Sequence, residues 1–255
     1  MLVYLSIFSM LSIISIFEET FNKVFINRLY IFFLIIFFIF IGFRYEVGAD
    51  WTAYKNLHLI GYKHLDDYFD IYNFFIYDYG YIFISYIGSF ISKTEAIFFN
   101  LFASALFVTS LHLFIKEYNQ KFITLVISFP ILITIVNMGF TRQSISISLL
   151  MISILLFLKK NFIISLFILL IGFSFHKAII IILPFYLLSI FFEKTPNLKT
   201  ILLISITILF LGIIIYLSKT QMEAYFNYYF LNRINKFSLG AFYRNGIFVI
   251  PSLIF

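Results

Sequence analysis

The sequence predicts an all-α fold: a polytopic integral membrane protein of about eight transmembrane helices, with a re-entrant or interfacial segment near residues 81–91. Three observations predict it. Hydrophobic residues make up 62% of the 255-residue chain and charged residues only 12%, with a mean hydropathy of +1.03, so little polar surface is left to cover a soluble globule. The apolar residues fall in continuous runs bounded by charges, each near the length that crosses a bilayer core. No alternating pattern of the kind that marks a transmembrane barrel competes with these runs.

Taken in order, residues 1–17 are apolar and lack both a basic start and an Ala-x-Ala-like end. They read as a retained first helix rather than a cleaved signal peptide. After a polar loop over 18–28, a second helix at 29–43 returns across the membrane. An outer loop, 44–95, follows. Up to residue 79 it sets Arg44, Lys55 and Lys63 against Glu46, Asp50, Asp66, Asp67, Asp70 and Asp78. An acidic, aromatic loop of this kind fits the outside, where Trp51 and the tyrosines can sit at headgroup level. Within it, the apolar stretch 81–91 is short and broken by Ser85, Gly88 and Ser89, which is why it is placed in the interface rather than across the membrane. If it crossed, Arg142 and the Asp50 loop would end on opposite faces.

Further helices are expected at 97–115, at 122–138 with Pro130 as a kink, and at 144–158, 162–175, 178–192 and 201–217. A second outer loop, 218–245, is rich in tyrosine and carries Lys219, Arg233, Lys236 and Arg244. The final run, 246–255, is too short to span, so the chain ends as a half-helix or as a truncated reading frame. No repeat or low-complexity linker divides it, and 1–255 reads as one transmembrane domain. The short turns assigned to the inside are denser in lysine and arginine than the long outer loops, as the positive-inside rule asks, although the raw count is not.

The stretch from Arg142 to His176 fixes the rest. Two apolar runs flank Lys159-Lys160-Asn161, and at about 1.5 Å per residue each is close to one bilayer core. A turn this short forces the two helices antiparallel, so Arg142 and His176 return to the same face. Lysine-bearing turns favour the cytoplasm, which points Arg142 and His176 outward.

Composition also excludes. The chain has no cysteine, so disulfides and thiolate chemistry are ruled out. His58, His64, His112 and His176 show no zinc-ligand spacing, and no metal or other cofactor is expected. The net charge of +6 suits a membrane protein or an anionic substrate, and nothing supports nucleic-acid binding.

Each residue singled out has two readings. Arg142 opens a helix, where guanidinium fork, free N–H groups and dipole all favour an anion; it is otherwise an arginine snorkelling to the interface. Arg44 carries the same pair of readings, and Arg233 and Arg244 are weaker cations of a solvated loop. His176 has an unperturbed pKa suited to proton transfer, or is a polar cap at a helix end. Asp50 competes for the base role beside Trp51, where desolvation would raise its pKa, or caps a helix. Gly48 permits a tight turn. Trp51 and Tyr54 stack on sugar rings or anchor the loop, and Ser144 and Ser148 read as a helix-packing face.

In order and spacing, Gly42-Phe43-Arg44-Tyr45, Val47-Gly48-Ala49-Asp50-Trp51 with Tyr54, Asn137-Met138-Gly139-Phe140-Thr141-Arg142-Gln143, and Phe173-Ser174-Phe175-His176-Lys177-Ala178 resemble the landmarks of EpsG-type, Wzy-like polysaccharide polymerases over roughly residues 1–220. The resemblance implies a glycosyltransferase of the bacterial inner membrane. It would join polyprenyl-diphosphate-linked oligosaccharide repeats into O-antigen, capsule or exopolysaccharide on the periplasmic face, without a metal. Arg44, Arg142, Gln143, Trp51, Tyr54 and Arg244 would bind substrate, and Asp50 or His176 would take the acceptor proton. Membrane lipid, a flippase and a chain-length regulator are the partners it implies. A transporter of the same lipid-linked sugars, or a non-catalytic assembly partner, are the rival readings; a transporter should carry charges in mid-helix along a path.

Overall fold

The computed structural model describes residues 2–48, 51, 54–55, 78–91, 97–116, 118–184 and 186. By its internal contacts the chain divides into two compact units, Met1–Ile180 and Ile181–Phe255, and nearly all described residues belong to the first. Among them every regular element is helical: α1 (Leu2–Ile16), α2 (Lys23–Gly42), α3 (Tyr79–Ser89), α4 (Ile97–Ile115), α5 (Lys121–Ser128, continuing as a π-helix over Phe129–Asn137), α6 (Thr141–Leu158), α7 (Phe162–Phe175) and a 3₁₀ segment at Lys177–Ile182. The helices expected at 178–192 (beyond its first turns), 201–217 and 246–255, and the loop 218–245, lie outside the described residues.

Three of these helices, α2, α4 and α6, are long and apolar enough to cross a membrane; α1, α7 and the run from Lys121 to Asn137 are shorter apolar helices. At about 1.5 Å per residue the three long ones measure roughly 27–30 Å, the thickness of a hydrocarbon core. Helix α2 starts at Lys23, six residues before the apolar run, because Asn22 caps it: the Asn22 side chain accepts the Val24 N–H at 2.9 Å. The polar residues of that first turn therefore join the helix instead of the loop.

Where the sequence predicts a kink at Pro130, the helix is π-helical. Proline lacks the N–H that would bond one turn back, and the ladder re-registers around it. Thr134 and Asn137 donate from their side chains to the carbonyls of Pro130 and Leu132 within that stretch.

Two ends of the bundle can be told apart. At one end, Glu18, only 7% exposed, accepts the backbone N–H groups of Lys121 (2.7 Å) and Phe122 (3.0 Å). Gln120 donates to Glu19 at 2.8 Å and Lys121 to Asn27 at 2.7 Å. The first N–H groups of any helix lack partners and carry its positive dipole end; here a carboxylate from the α1–α2 turn caps α5. At the other end lie the last turn of α2 and the first turns of α4 and α6. Gly42 meets α4 so closely that a Cβ would come within 2.9 Å of Leu101, and Ser104 donates to Phe38 O at 2.8 Å.

Helices α6 and α7 form the hairpin that the sequence predicts, with Lys160 in the left-handed region at φ 62. Small polar residues set their close approach. Ser153 and Ser165 donate to each other's carbonyls at 2.7 and 2.8 Å, and Ser146 donates to Gly172 O at 3.1 Å. Phe33, Phe37, Phe107, Leu111, Phe122 and Leu125 build a core between α1, α2, α4 and α5. Ile163, 86% exposed, and Phe32, Ile35 and Phe167 point outward, the disposition expected where the solvent is lipid.

Replacing Glu18 by Ala should cost about 1–2 kcal/mol through loss of the α5 cap. Thermal unfolding in detergent should fall by a few degrees; an unchanged midpoint would show that the carboxylate does not serve as a cap.

Candidate functional site

At the second end, α2 stops at Phe43, whose N–H reaches Ile39 O at 3.0 Å, and the chain turns inward rather than away. Glu46 (φ 52) and Gly48 (φ 105) both adopt left-handed backbone. A Cβ at Gly48 would lie 2.8 Å from Gly139 O and 2.9 Å from Met138 O, so this position needs glycine for conformation and for space alike. The turn is thereby pressed against the link between α5 and α6, and Arg44 is carried beneath it.

Arg44 is 5% exposed. Its Nη2 donates to Asn100 Oδ1 at 3.2 Å and to Thr141 Oγ1. Its Nε and Nη1, and the Asn100 Nδ2, are buried without hydrogen-bond partners among the described residues. Burial pushes the Arg44 pKa down to about 10, which leaves it cationic at neutral pH. A buried, half-satisfied cation is costly unless something anionic completes it.

Arg142 stands one residue beyond Thr141, in the first turn of α6. Phe140, at the N-cap, makes no side-chain cap bond there, so the dipole end of an 18-residue helix adds to the same positive field. Arg142 Nη1 pairs with Asp78 Oδ2 at 2.7 Å. Its guanidinium lies 5.5 Å from the ring centre of Tyr54 and 5.9 Å from that of Tyr81. Tyr54 and Tyr81 stack at 5.4 Å, and the Tyr81 hydroxyl donates to Tyr54 O at 3.2 Å.

His176 ends α7 in extended backbone and is returned to this end by the hairpin. The Gln143 side-chain amide and His176 Nε2 lie 3.4 Å apart, within hydrogen-bond reach. Burial lowers the His176 pKa, the nearby Arg142 and Lys177 lower it further, and Asp78 acts in the opposite sense. The imidazole is therefore neutral, and able to accept a proton, at pH 7.

The structure thus brings Arg44, Tyr54, Arg142, Gln143 and His176 to one end of the bundle. Trp51 packs edge-on to Tyr45 at 5.6 Å. Asp50 and Arg244 lie outside the described residues. Reasoning from sequence missed Asp78, Asn100 and Thr141. Asn100 had a signal, as an amide inside an otherwise apolar span; Asp78 was one loop carboxylate among several, and nothing local set it apart.

Apolar helices that gather two guanidiniums and a neutral imidazole at one end define a membrane protein with a site suited to an anion. The chain belongs to the EpsG family, a family of Wzy-like polysaccharide polymerases, whose sequence pattern matches residues 27–255. The chain finds no match among curated proteins or solved structures.

Selective labelling of the histidines should place His176 below 6.5, the ordinary histidine value. By the signs above, Asp78→Asn should lower it further and Arg142→Ala should raise it. NMR titration reads this directly, and shifts in the reverse order would show that these charges do not face the ring.

Proposed function

We propose that this chain joins polyprenyl-diphosphate-linked oligosaccharide repeats into a surface polysaccharide at the periplasmic face of the inner membrane. The observation that carries the reading is Arg44: a buried guanidinium with two donor atoms unpartnered among the described residues, linked through Thr141 to the helix turn that bears Arg142. Two such forks suit the two phosphates of a lipid diphosphate better than any single carboxylate does.

In the reaction, a hydroxyl of the acceptor repeat attacks the anomeric carbon of the donor glycan. A new glycosidic C–O bond forms as the bond from that carbon to the diphosphate oxygen breaks. The electron pair leaves on the diphosphate, where Arg44, Arg142 and the N-terminus of α6 stabilise the added charge. The acceptor proton passes to His176, neutral and held by Gln143, or to Asp50, two residues beyond the fixed turn at Gly48. The tyrosine pair beneath Arg142 is buried, Tyr54 at 4% and Tyr81 at 1% exposure, and offers its faces to the cation rather than to a sugar.

The same reading orients the bundle. Lys159 and Lys160 close the α6–α7 turn at the Glu18 end, which is taken as cytoplasmic, so the arginine end faces outward. Helix α3 starts at that end and has 11 residues, about 16 Å, half a bilayer core. From Ile91 the chain reaches Ile97, again at the arginine end, in six residues, at most about 20 Å. A segment that dips in and returns, rather than one that crosses, meets both lengths.

Arg44→Ala and Arg142→Ala, made in the full chain, should each reduce polymer synthesis by about 10²–10³-fold, the effect of deleting a donor to a developing oxyanion. Arg142→Lys should recover only part of it, since the ammonium keeps charge without the fork. Polymer ladders on gels read both results; ladders unchanged in Arg44→Ala, Arg142→Ala and His176→Ala alike would end the enzyme reading.

A further inference from the structure

We propose that Asp78 is a built-in stand-in for the substrate's diphosphate, holding Arg142 until the diphosphate arrives and then turning to cap its own helix, α3. This rests on the reading of Arg142 as a diphosphate ligand.

Three observations carry it. The Arg142–Asp78 pair is made through one nitrogen and one oxygen, Nη1 and Oδ2 at 2.7 Å; Tyr54 adds a side-chain hydrogen bond to the guanidinium, and Arg142 Nε is buried and unpartnered among the described residues. A guanidinium with a dedicated structural partner usually engages it with both tines. Next, Asp78 stands at the N-cap of α3 in extended backbone (φ −90, ψ 92), and yet its side chain makes no cap bond. Its carbonyl accepts the N–H groups of Tyr81 and Ile82 at 3.0 and 3.2 Å, so the backbone of Asp78 already stands in the capping position and only its side chain is turned away. Aspartate is among the best N-caps, so a rotation of its side chain offers the carboxylate a second favourable place. Finally, the field of Asp78 reaches His176 and Lys177 as well as Arg142, so the carboxylate offsets part of the positive potential around Arg142.

The consequence is a threshold. Any anion at Arg142 must displace the carboxylate, and a diphosphate, whose greater charge and number of oxygens can engage both tines, does so at a lower concentration than a weakly charged anion. Once the glycosyl bond has broken, the departing diphosphate carries an extra negative charge and would cling to Arg142. The return of Asp78 opposes that and aids release. Helix α3 stays docked during the exchange, because Gly80 lies tight against Ser174 and Phe175 of α7 and only the carboxylate need move.

The test is binding of farnesyl diphosphate and farnesyl monophosphate to the full chain in nanodiscs at fixed salt. Asp78→Asn removes the competing charge and keeps the capping ability. It should tighten both ligands by a similar factor, about tenfold, because each must displace the same carboxylate. Asp78→Glu keeps the charge on a side chain too long to cap well, and should bind no more tightly than the wild type. If Arg142→Ala weakens diphosphate binding while Asp78→Asn fails to tighten it, the stand-in is wrong and the diphosphate site survives. If Arg142→Ala leaves diphosphate binding unchanged, the site itself is wrong and the stand-in falls with it.

Discussion

Everything at the arginine end depends on a charge that has been taken out of water with no carboxylate among the described residues to meet it. Arg44 ties three spans together: it follows α2, bonds Asn100 on α4 and bonds Thr141 at the start of α6. Neutral oxygens satisfy one nitrogen, and two are unpartnered among the described residues. In a hydrocarbon setting that arrangement is expensive, and a protein under selection for stability alone would replace it. The arrangement makes sense if the missing partner is an anion that comes and goes. The surrounding devices serve the same end: Gly48 lets the turn close over Arg44, and Gly42 lets α2 and α4 approach closely enough for Asn100 to reach it.

The opposite end is built by contrary means. There Glu18 finds two backbone donors at once and is fully used as a cap. One end of the bundle closes its polar accounts while the other leaves donors open. The serine ladder between α6 and α7 keeps the hairpin rigid between the two, so Arg142 and His176 are held in register by packing far from either.

Much of this was legible in the sequence because hydrophobic runs and charged boundaries are read locally. The helices expected at 97–115 and 162–175 are observed with those bounds, and the two-lysine turn required Arg142 and His176 to meet at one end. Other features depend on partners distant in sequence. Asn22 extends α2 through a polar turn that hydropathy assigns to the loop. The π-helical form of the Pro130 stretch follows from a ladder that cannot be read from the proline alone. Asp78 gains its meaning only from Arg142, 64 residues later, and Arg44 only from Asn100 and Thr141. A buried charge pair is a statement about three dimensions, and no spacing rule encodes it.

The central claim is that the arginine end faces outward as a single site, and the chain's lack of cysteine allows a direct test. Single cysteines at Lys177 and Lys159 in the full chain, probed with a membrane-impermeant maleimide on intact spheroplasts, report the two ends separately. The account predicts labelling at position 177 from outside and at position 159 only after the membrane is opened. Labelling in the reverse sense would place the arginines in the cytoplasm and contradict it.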